Sequence, residues 1–232
     1  MTTILKIYKM RQLTILLCAS LLIIGSGCQK KLDQQPNGVV SVADFYKTQA
    51  DAISGISAVY NRLQNFTFGG PFSGFDCWPD LLSPDVESHQ DFTALRQIHE
   101  YNGAADNAIV DSSWITLYNG VYLANQAIEQ ITAMPDNLFT AGMKTRLLGE
   151  AHFLRAFYNF RITMLWGSAP LVTHTLTLNN LYLPKSTRQD FFNLVEQDLL
   201  TADSSLPASY GAADVGRATK GAADAYLGNL YL

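Results

Sequence analysis

The strongest constraint on the fold of this chain is the segment 144–166, which carries two apolar stripes at helical spacing. A helix that is apolar around so much of its circumference must be covered by neighbours on several sides. The segment therefore predicts a central helix in which Leu154 and Phe157 are buried, with Gly167 and Pro170 ending it. The stripes consist of Leu147, Ala151, Leu154, Tyr158, Ile162 and Leu165, and of Phe153, Phe157, Phe160 and Met164.

Helical periodicity also precedes this central segment. One apolar stripe predicts a helix from about Thr48 to Phe66, and another predicts a helix that ends near Met134. The second helix is expected to begin at Asp111, since Asp111 and Ser112 offer N-cap chemistry. The two stripes consist of Ala52, Ile56, Val59 and Leu63, and of Trp114, Leu117, Val121, Ala124, Ile128 and Ile131.

Two further helices are predicted after an extended segment from Leu171 to Leu183. A capping box from Ser186 to Gln189 predicts where the first of them starts. The second begins near Thr219 and carries small residues that would let another helix approach closely. The core stripe of the first is Phe192, Val195, Leu199 and Ala202, and the small face of the second is Gly221, Ala222, Ala225, Gly228 and Tyr231.

Together these segments predict a mainly α fold, organised as a tetratricopeptide-like stack of helices with long irregular loops. Only Trp114-x-x-Leu117 fits the opening of that repeat, and no strict period is present. The sequence ends inside the last helical pattern, at Leu230-Tyr231-Leu232, without a polar cap. We therefore expect residues 49–232 to form an incomplete helical domain, truncated at its C-terminus, of a longer protein.

The first 27 residues have the organisation of a secretory signal peptide. Basic residues precede an apolar run over 13–24, which is shorter than the roughly 20 residues that span a bilayer. Gly25-Ser26-Gly27 then lead directly into Cys28, as in a bacterial lipobox, where the cysteine is acylated and becomes the new N-terminus. The pattern predicts lipidation at Cys28, a polar tether over residues 28–48 and attachment to a membrane face.

Alternatives remain for this N-terminal segment. Gly25 stands where a lipobox usually has Leu, so an ordinary signal peptide with a chance cysteine is the competing interpretation. Cys18 is a poorer lipidation site because Leu17, which is not small, precedes it. Either Met1 or Met10 is compatible with translation start, since the segment from Met10 already contains a complete signal.

The composition of the processed chain excludes several functions. Cleavage before Cys28 removes three of the 16 Lys and Arg residues, leaving 13 against 20 Asp and Glu, a net charge of about −7. No basic stretch remains, which argues against nucleic acid as a partner. Only Cys77 accompanies Cys28, so neither an intrachain disulfide nor a cysteine metal site is expected.

The long irregular region 67–110 contains the candidate ligand-binding residues. Sugars bind where an exposed aromatic ring covers the apolar face of a pyranose and nearby carboxylates or amides bond its hydroxyls. Trp78 beside Asp80, and Tyr101 beside Asn102, match this combination. The competing interpretation is that Trp78 belongs to a packing segment. Trp114 and Trp166 lie on helical stripes and are expected in the core.

Catalytic and metal-binding signals are weak in this sequence. The motifs G-x-S-x-G, H-E-x-x-H and G-x-x-x-x-G-K are missing from it. A glycosidase needs a pair of carboxylates, and the candidates Asp80, Asp85 and Glu87 are better interpreted as solvated or turn-capping acids. No cofactor is expected, and the four histidines lack ligand spacing: His89, His99, His152 and His174.

Four motifs, in order, resemble the SusD/RagB family. They are Trp114-Ile-Thr-Leu-Tyr-Asn-Gly-Val-Tyr-Leu-Ala-Asn125, Gly149-Glu-Ala-His-Phe-Leu-Arg-Ala-Phe-Tyr-Asn-Phe160, Gly167-Ser-Ala-Pro-Leu-Val172, and Asp198-Leu199 with Leu206-Pro207 and Gly216-Arg-Ala-Thr-Lys-Gly-Ala-Ala223. The resemblance covers roughly residues 28–232. It departs at His152, where Arg is usual, and at Arg161, where an acid is common, and both departures are interpreted as surface variation.

The resemblance implies a non-enzymatic lipoprotein that faces outward from the outer membrane. Such proteins capture oligosaccharides or other nutrients and cover a TonB-dependent transporter of the SusC type. A competing function of a different class is a membrane-tethered helical scaffold that binds only a protein partner. Family ligand residues do not align with the 67–110 region, so none is transferred to this sequence.

Overall fold

A computed structural model describes residues 42–64, 80–85 and 93–232, and over these residues the protein is mainly helical. The helices are α1 (Val42–Phe45), α2 (Gln49–Asn61), α3 (Thr93–His99), α4 (Ala108–Ala133), α5 (Met143–Trp166), α6 (Arg188–Ser205) and α7 (Lys220–Tyr231). Short 3-10 turns lie at Arg62–Gln64, Asp136–Leu138 and Ala212–Asp214. Strands β1 (Ala169–Pro170) and β2 (Lys185–Ser186) pair antiparallel. The predicted mainly α fold is confirmed.

Helix α5 is the centre of the stack, as its two apolar stripes predict. Helices α2, α4 and α6 all pack against it, and α7 packs against α6. Leu154 is fully buried, as predicted, whereas Phe157 is only half-buried and thus more exposed than predicted. The second stripe faces α7, where the ring of Tyr226 contacts three of its aromatic side chains: Phe153, Phe157 and Phe160.

Two predicted helix starts are displaced in the structure. Helix α4 begins at Ala108 rather than Asp111, because Asn107 is its N-cap and accepts bonds from the N–H groups of Ile109 and Val110. Helix α6 is capped by a box between Thr187 and Asp190 rather than between Ser186 and Gln189. Ser186 is unavailable as the cap since it is paired with Ala169 in the small sheet.

The predicted core stripe of α6 is confirmed at Val195, Leu199 and Ala202, which are fully buried. In α6 the fully buried ring is Phe191, while Phe192 is half-buried. In α7 the fully buried residue is Ala223. Of the predicted small-residue face of α7, Ala222 packs against the core, whereas Gly221, Ala225 and Gly228 are exposed.

The structure also places short helices where none was expected. Helix α1 and the half-buried Tyr46 lie within the segment predicted as a polar tether, and Tyr46 packs against Gly55 of α2. Helix α3 lies in the 67–110 region and buries Leu95 and Ile98. Among the residues described, no helix has both the length and the apolar character needed to cross a membrane.

Close contact between α4 and α5 generates a stability prediction. Gly120 is buried on α4, and a Cβ atom there would lie 2.6 Å from carbon atoms of the Tyr158 ring. Gly120→Ala should therefore lower the free energy of unfolding by about 1–3 kcal/mol, the usual cost of overpacking. Gly228→Ala is the matched control, because nothing lies within 4 Å of its Cβ position on α7.

The control substitution should have the opposite sign. Alanine is favoured over glycine within a helix by roughly 0.5–1 kcal/mol, so Gly228→Ala should be neutral or stabilising. Chemical denaturation of both variants measures the difference. Equal effects of the two substitutions would contradict the close α4–α5 packing.

Candidate functional site

The 80–85 segment, α3, the start of α4 and the last residue of α5 surround an apolar cleft of about 410 Å³. We refer to it as the Tyr101 cleft. Its size falls within the range of small-ligand sites in proteins. The side chains and backbone around it come from Leu82, Ile98, Tyr101, Gly103, Ala104, Ala105, Val110 and Trp166.

Asn107 holds the two helices at the base of this cleft together. Its side-chain oxygen caps α4, and its side-chain nitrogen donates to the carbonyl of Ala94 at 3.0 Å and to Oε1 of Gln97 at 2.9 Å. The residue itself is buried. Beneath the cleft, Leu81, Leu95, Ile98 and Ile109 form a small separate core. A single polar side chain thus fixes α3 relative to α4.

Tyr101 is the most exposed aromatic side chain at the cleft, with 76% of its surface accessible. Its backbone adopts the left-handed conformation, with φ of 57°. Its hydroxyl donates to the carbonyl of Leu82, and His99 Nδ1 lies 3.0 Å from the carbonyl of Leu81. These two contacts join α3 to the 80–85 segment. The hydroxyl is thereby anchored, while much of the ring surface faces solvent.

Trp166 forms a wall of the cleft at the end of α5. Its ring meets that of Trp114 edge-on, with centroids 5.2 Å apart, and Trp114 in turn packs on Tyr118 at 4.5 Å. Both tryptophans are half-buried rather than fully in the core, which corrects the sequence prediction. The sequence contained a signal for the exposure of Trp166. This residue directly precedes Gly167, which ends the helix, and residues at helix ends contact solvent more often than residues at helix centres.

Of the sequence-predicted ligand residues, Tyr101 lines the cleft, whereas Asp80 and Asn102 are not among its lining residues. Asp80 is exposed on the segment that contains Leu82, which accepts the bond from Tyr101. Asn102 is exposed too, and its backbone N–H donates to the carbonyl of Gln97 at 2.7 Å. Trp78 lies outside the described residues, as does the predicted lipidation site Cys28. Ligand contact by these residues stays a prediction.

The acids and histidines weighed for catalysis or metal binding are dispersed. Asp85 is exposed, and its N–H donates to Ser83 Oγ at 3.1 Å, while Glu87 and His89 lie outside the described residues. His174 lies on the loop between the strands, 3.1 Å from the amide nitrogen of Asn180. Within residues 42–64, 80–85 and 93–232, no three His, Cys, Asp or Glu residues are grouped as a metal site requires.

A buried polar network centred on Arg155 connects α4, α5 and α6. The guanidinium makes a bidentate pair with Asp198, through Nε at 2.8 Å and Nη2 at 2.7 Å. Its Nη1 donates to Asn125 Oδ1 at 2.9 Å and to the carbonyl of Thr173 at 3.2 Å. Asn125 Nδ2 also donates to the carbonyl of Val172 at 3.0 Å. The network therefore fixes the chain that follows β1 as well as the helices.

His152 and Arg161, predicted as surface variation, both contact the core. His152 Nδ1 lies 2.6 Å from Oδ1 of the buried Asp198, so it belongs to the Arg155 network. Arg161 is half-buried, with its guanidinium 5.5 Å from the centroid of the Phe157 ring. Helical spacing within α5 does not reveal that Asp198 of α6 lies beside His152, so the prediction of surface variation was wrong.

A second polar network is a closed ring of four ion pairs. Arg146 contacts Asp214 at 3.0 Å and Glu150 at 3.2 Å, and Arg217 contacts both acids at 2.8 Å. Glu150 is fully buried, while Asp214 is partly exposed. The hydrogen bond from Arg146 holds the pKa of Asp214 below its usual range. We refer to these residues as the ion-pair ring.

Solved structures of other proteins share this arrangement of helices. A solved SusD superfamily protein from Bacteroides vulgatus superposes with a TM-score of 0.71 at 25% identity, over 81% of this chain and 40% of its own. A laminarin-binding SusD-like protein superposes with a TM-score of 0.70 at 24% identity, over 80% and 40%. The helical stack is therefore a SusD-like fold.

Sequence comparison agrees with the fold. Residues 42–232 match the SusD-like family described as starch-binding and associating with the outer membrane. The chain belongs to this family, which confirms the resemblance of its motifs. SusD-like protein P38 of Formosa agariphila is 29% identical over 204 residues, covering 87% of this chain and 38% of its own. The SusD-like protein P25 of the same organism is 26% identical over 204 residues, covering 84% and 38%. The chain thus spans about two fifths of the length of these relatives.

The Arg155 network generates a second stability prediction. Arg155→Met keeps most of the aliphatic volume but leaves the buried Asp198 carboxylate without its bidentate partner. Removing one member of a buried pair usually costs about 3–5 kcal/mol, so the free energy of unfolding should fall by that amount. Urea denaturation followed by circular dichroism measures the loss.

Arg96→Met is the matched control for this substitution. Arg96 and Glu100 form a pair at 3.9 Å in which both side chains are about half exposed. Such surface pairs contribute roughly 0–1 kcal/mol, so the control should change stability little. A loss for Arg155→Met no larger than that of the control would show that the network is not needed for the fold.

Proposed function

We propose that this protein is an outer-membrane surface lipoprotein that binds oligosaccharides and delivers them to a TonB-dependent transporter of the SusC type. The observation that carries the proposal is the exposed ring of Tyr101 at an apolar cleft, in a chain of a family described as starch-binding. A lipid on Cys28, at the start of the tether predicted over residues 28–48, would attach the helical domain to the outer leaflet.

The chemistry of the cleft suits a pyranose ring. The rings of Tyr101 and Trp166 line the cleft and would offer apolar surface for the C–H face of a sugar. Asp80 and Asn102 do not line the cleft itself; they are exposed on the two segments that Tyr101 joins and would supply a carboxylate and an amide to hydroxyl groups that extend beyond it. The anchored Tyr101 hydroxyl reduces the motion of the ring, so less entropy is lost when a ligand binds.

Binding without catalysis is the second part of the proposal. A glycosidase requires two carboxyl groups about 5–10 Å apart on either side of the scissile bond. The residues described around the Tyr101 cleft contribute apolar and backbone groups, and Asp80 and Asp85 share one short segment. This arrangement supports capture of a glycan rather than its hydrolysis.

The competing function is a tethered scaffold that binds only protein. It is separated from the first proposal by whether the protein binds a soluble glycan at all. The name of the laminarin-binding relative suggests laminarihexaose as one probe, and the family description suggests maltohexaose as another. Isothermal titration calorimetry with both probes makes the distinction.

Tyr101→Ala should weaken binding of the probe that the protein prefers by roughly 3–10-fold. Aromatic contacts of this kind contribute about 0.5–1.5 kcal/mol, and 1.4 kcal/mol corresponds to tenfold in affinity. Tyr101→Phe should retain most of the affinity because it keeps the ring. Tyr182→Ala is the matched control, since Tyr182 is fully exposed and lies outside the cleft. Unchanged affinity in Tyr101→Ala would remove the cleft from the proposal.

Cys28→Ser should release the protein from membranes or leave the precursor unprocessed, because only the cysteine thiol can be acylated at this position. Cys18→Ser should have no effect on either property. Membrane fractionation and the apparent mass of the processed chain are the measurements. Normal processing together with unchanged membrane association in Cys28→Ser would refute the proposed lipid anchor.

A further inference from the structure

A second cleft, of about 470 Å³, lies between the end of α2 and the turn that precedes α7. Its position is separate from the Tyr101 cleft, since the two share no lining residue. Its surface is mainly polar, in contrast to the apolar Tyr101 cleft. We refer to it as the polar cleft and define it by Tyr60, Asn61, Gln64, Asp214, Val215 and Arg217.

The ion-pair ring supplies one side of this cleft. Asp214 and Arg217 line the cleft, while Arg146 and Glu150 stand behind them. Two guanidinium groups and two carboxylates balance each other in charge, and each cation contacts both anions. The side of the cleft is thus rich in hydrogen-bonding groups but has no net charge. Such a surface does not favour a charged ligand over a neutral one.

The opposite side offers amides and apolar contact. Asn61 and Gln64 are exposed at the end of α2, and no hydrogen bond of their side chains is found within the described residues. Tyr60 has its hydroxyl engaged, as it accepts from the N–H of Ala218 at 2.8 Å. Burial and the nearby Glu150 charge raise the pKa of this hydroxyl, so it remains protonated at neutral pH. Val215, 77% exposed, supplies an apolar side chain at the mouth.

We infer that the polar cleft is a second binding site, for a short neutral saccharide segment. Amide, carboxylate and guanidinium groups can bond sugar hydroxyls as donors and acceptors, and Tyr60, Leu63 and Val215 offer apolar contact to ring C–H groups. Because the charges balance, the cleft offers an acidic saccharide no electrostatic advantage over a neutral one. This inference rests on the proposed function as a carbohydrate binder and extends it to a second site.

Nuclear magnetic resonance of the labelled protein can test the two clefts separately. Maltotriose and laminaritriose are the neutral probes, and trigalacturonate is the acidic probe. We expect one neutral probe to shift the side-chain amide signals of Asn61 and Gln64 and the methyl signals of Val215, in a saturable manner. The same shifts should persist in Tyr101→Ala, which disables only the other cleft.

Two variants block the polar cleft without touching the ion-pair ring. Val215→Trp places a large ring at the cleft, and the double substitution Asn61→Ala and Gln64→Ala removes two exposed amides. Each should weaken neutral binding at this cleft at least about fivefold while leaving shifts around Tyr101 unchanged. Leu178→Trp is the control, because Leu178 is exposed and lies outside both clefts.

Ionic strength provides the second readout. Binding of a neutral probe should be almost unchanged between low and high salt, since screening acts only on charged ligands. Neutral probes that shift signals only around Tyr101 would overturn this inference and leave the proposed function intact. Tighter, salt-dependent binding of trigalacturonate at the polar cleft would also overturn it. Shifts at the polar cleft but not around Tyr101 would support it and contradict the proposed role of the Tyr101 cleft.

Discussion

The helical stack depends on the buried pair of Arg155 and Asp198. A buried charge is costly unless its partners are in place, and here the guanidinium is bonded by Asp198, Asn125 and the carbonyl of Thr173. Each of these partners lies on a different element: α6, α4 and the chain after β1. Arg155 therefore has all of its hydrogen-bond partners only when α4, α6 and the chain after β1 are assembled around α5. The pair thus couples the formation of individual helices to the assembly of the whole fold.

This architecture gives the polar residues of the family motifs a structural role. Asn125, Arg155 and Asp198 belong to one network, and Glu150 and Arg217 belong to the ion-pair ring. The motifs thus hold the helices and their connections together. The Tyr101 cleft is lined by residues outside those motifs, which come from the region between α2 and α4, the start of α4 and the end of α5. A shared scaffold can in this way carry ligand-contacting surfaces that differ from one family member to another.

The two clefts differ in the kind of contact they offer to a ligand. The Tyr101 cleft offers ring surface and few polar groups, whereas the polar cleft offers a neutral array of donors and acceptors. Stacking tolerates many sugar linkages, while hydrogen bonds to individual hydroxyls discriminate between them. Under the proposed function, the Tyr101 cleft would contribute general affinity for glycans. The polar cleft would contribute selectivity among neutral ones.

The sequence by itself determined the mainly helical fold, the central place of α5 and the family, because apolar periodicity and ordered motifs are local properties of the chain. It also singled out Tyr101 and Asn102. Only the tertiary structure decided where α4 and α6 begin, that Trp166 borders a cleft and that His152 contacts Asp198. Those features depend on which elements meet: Asn107 caps α4 while bonding α3, and Ser186 is held in a sheet. Contacts between distant residues satisfy buried polar groups, and helical spacing carries no information about them.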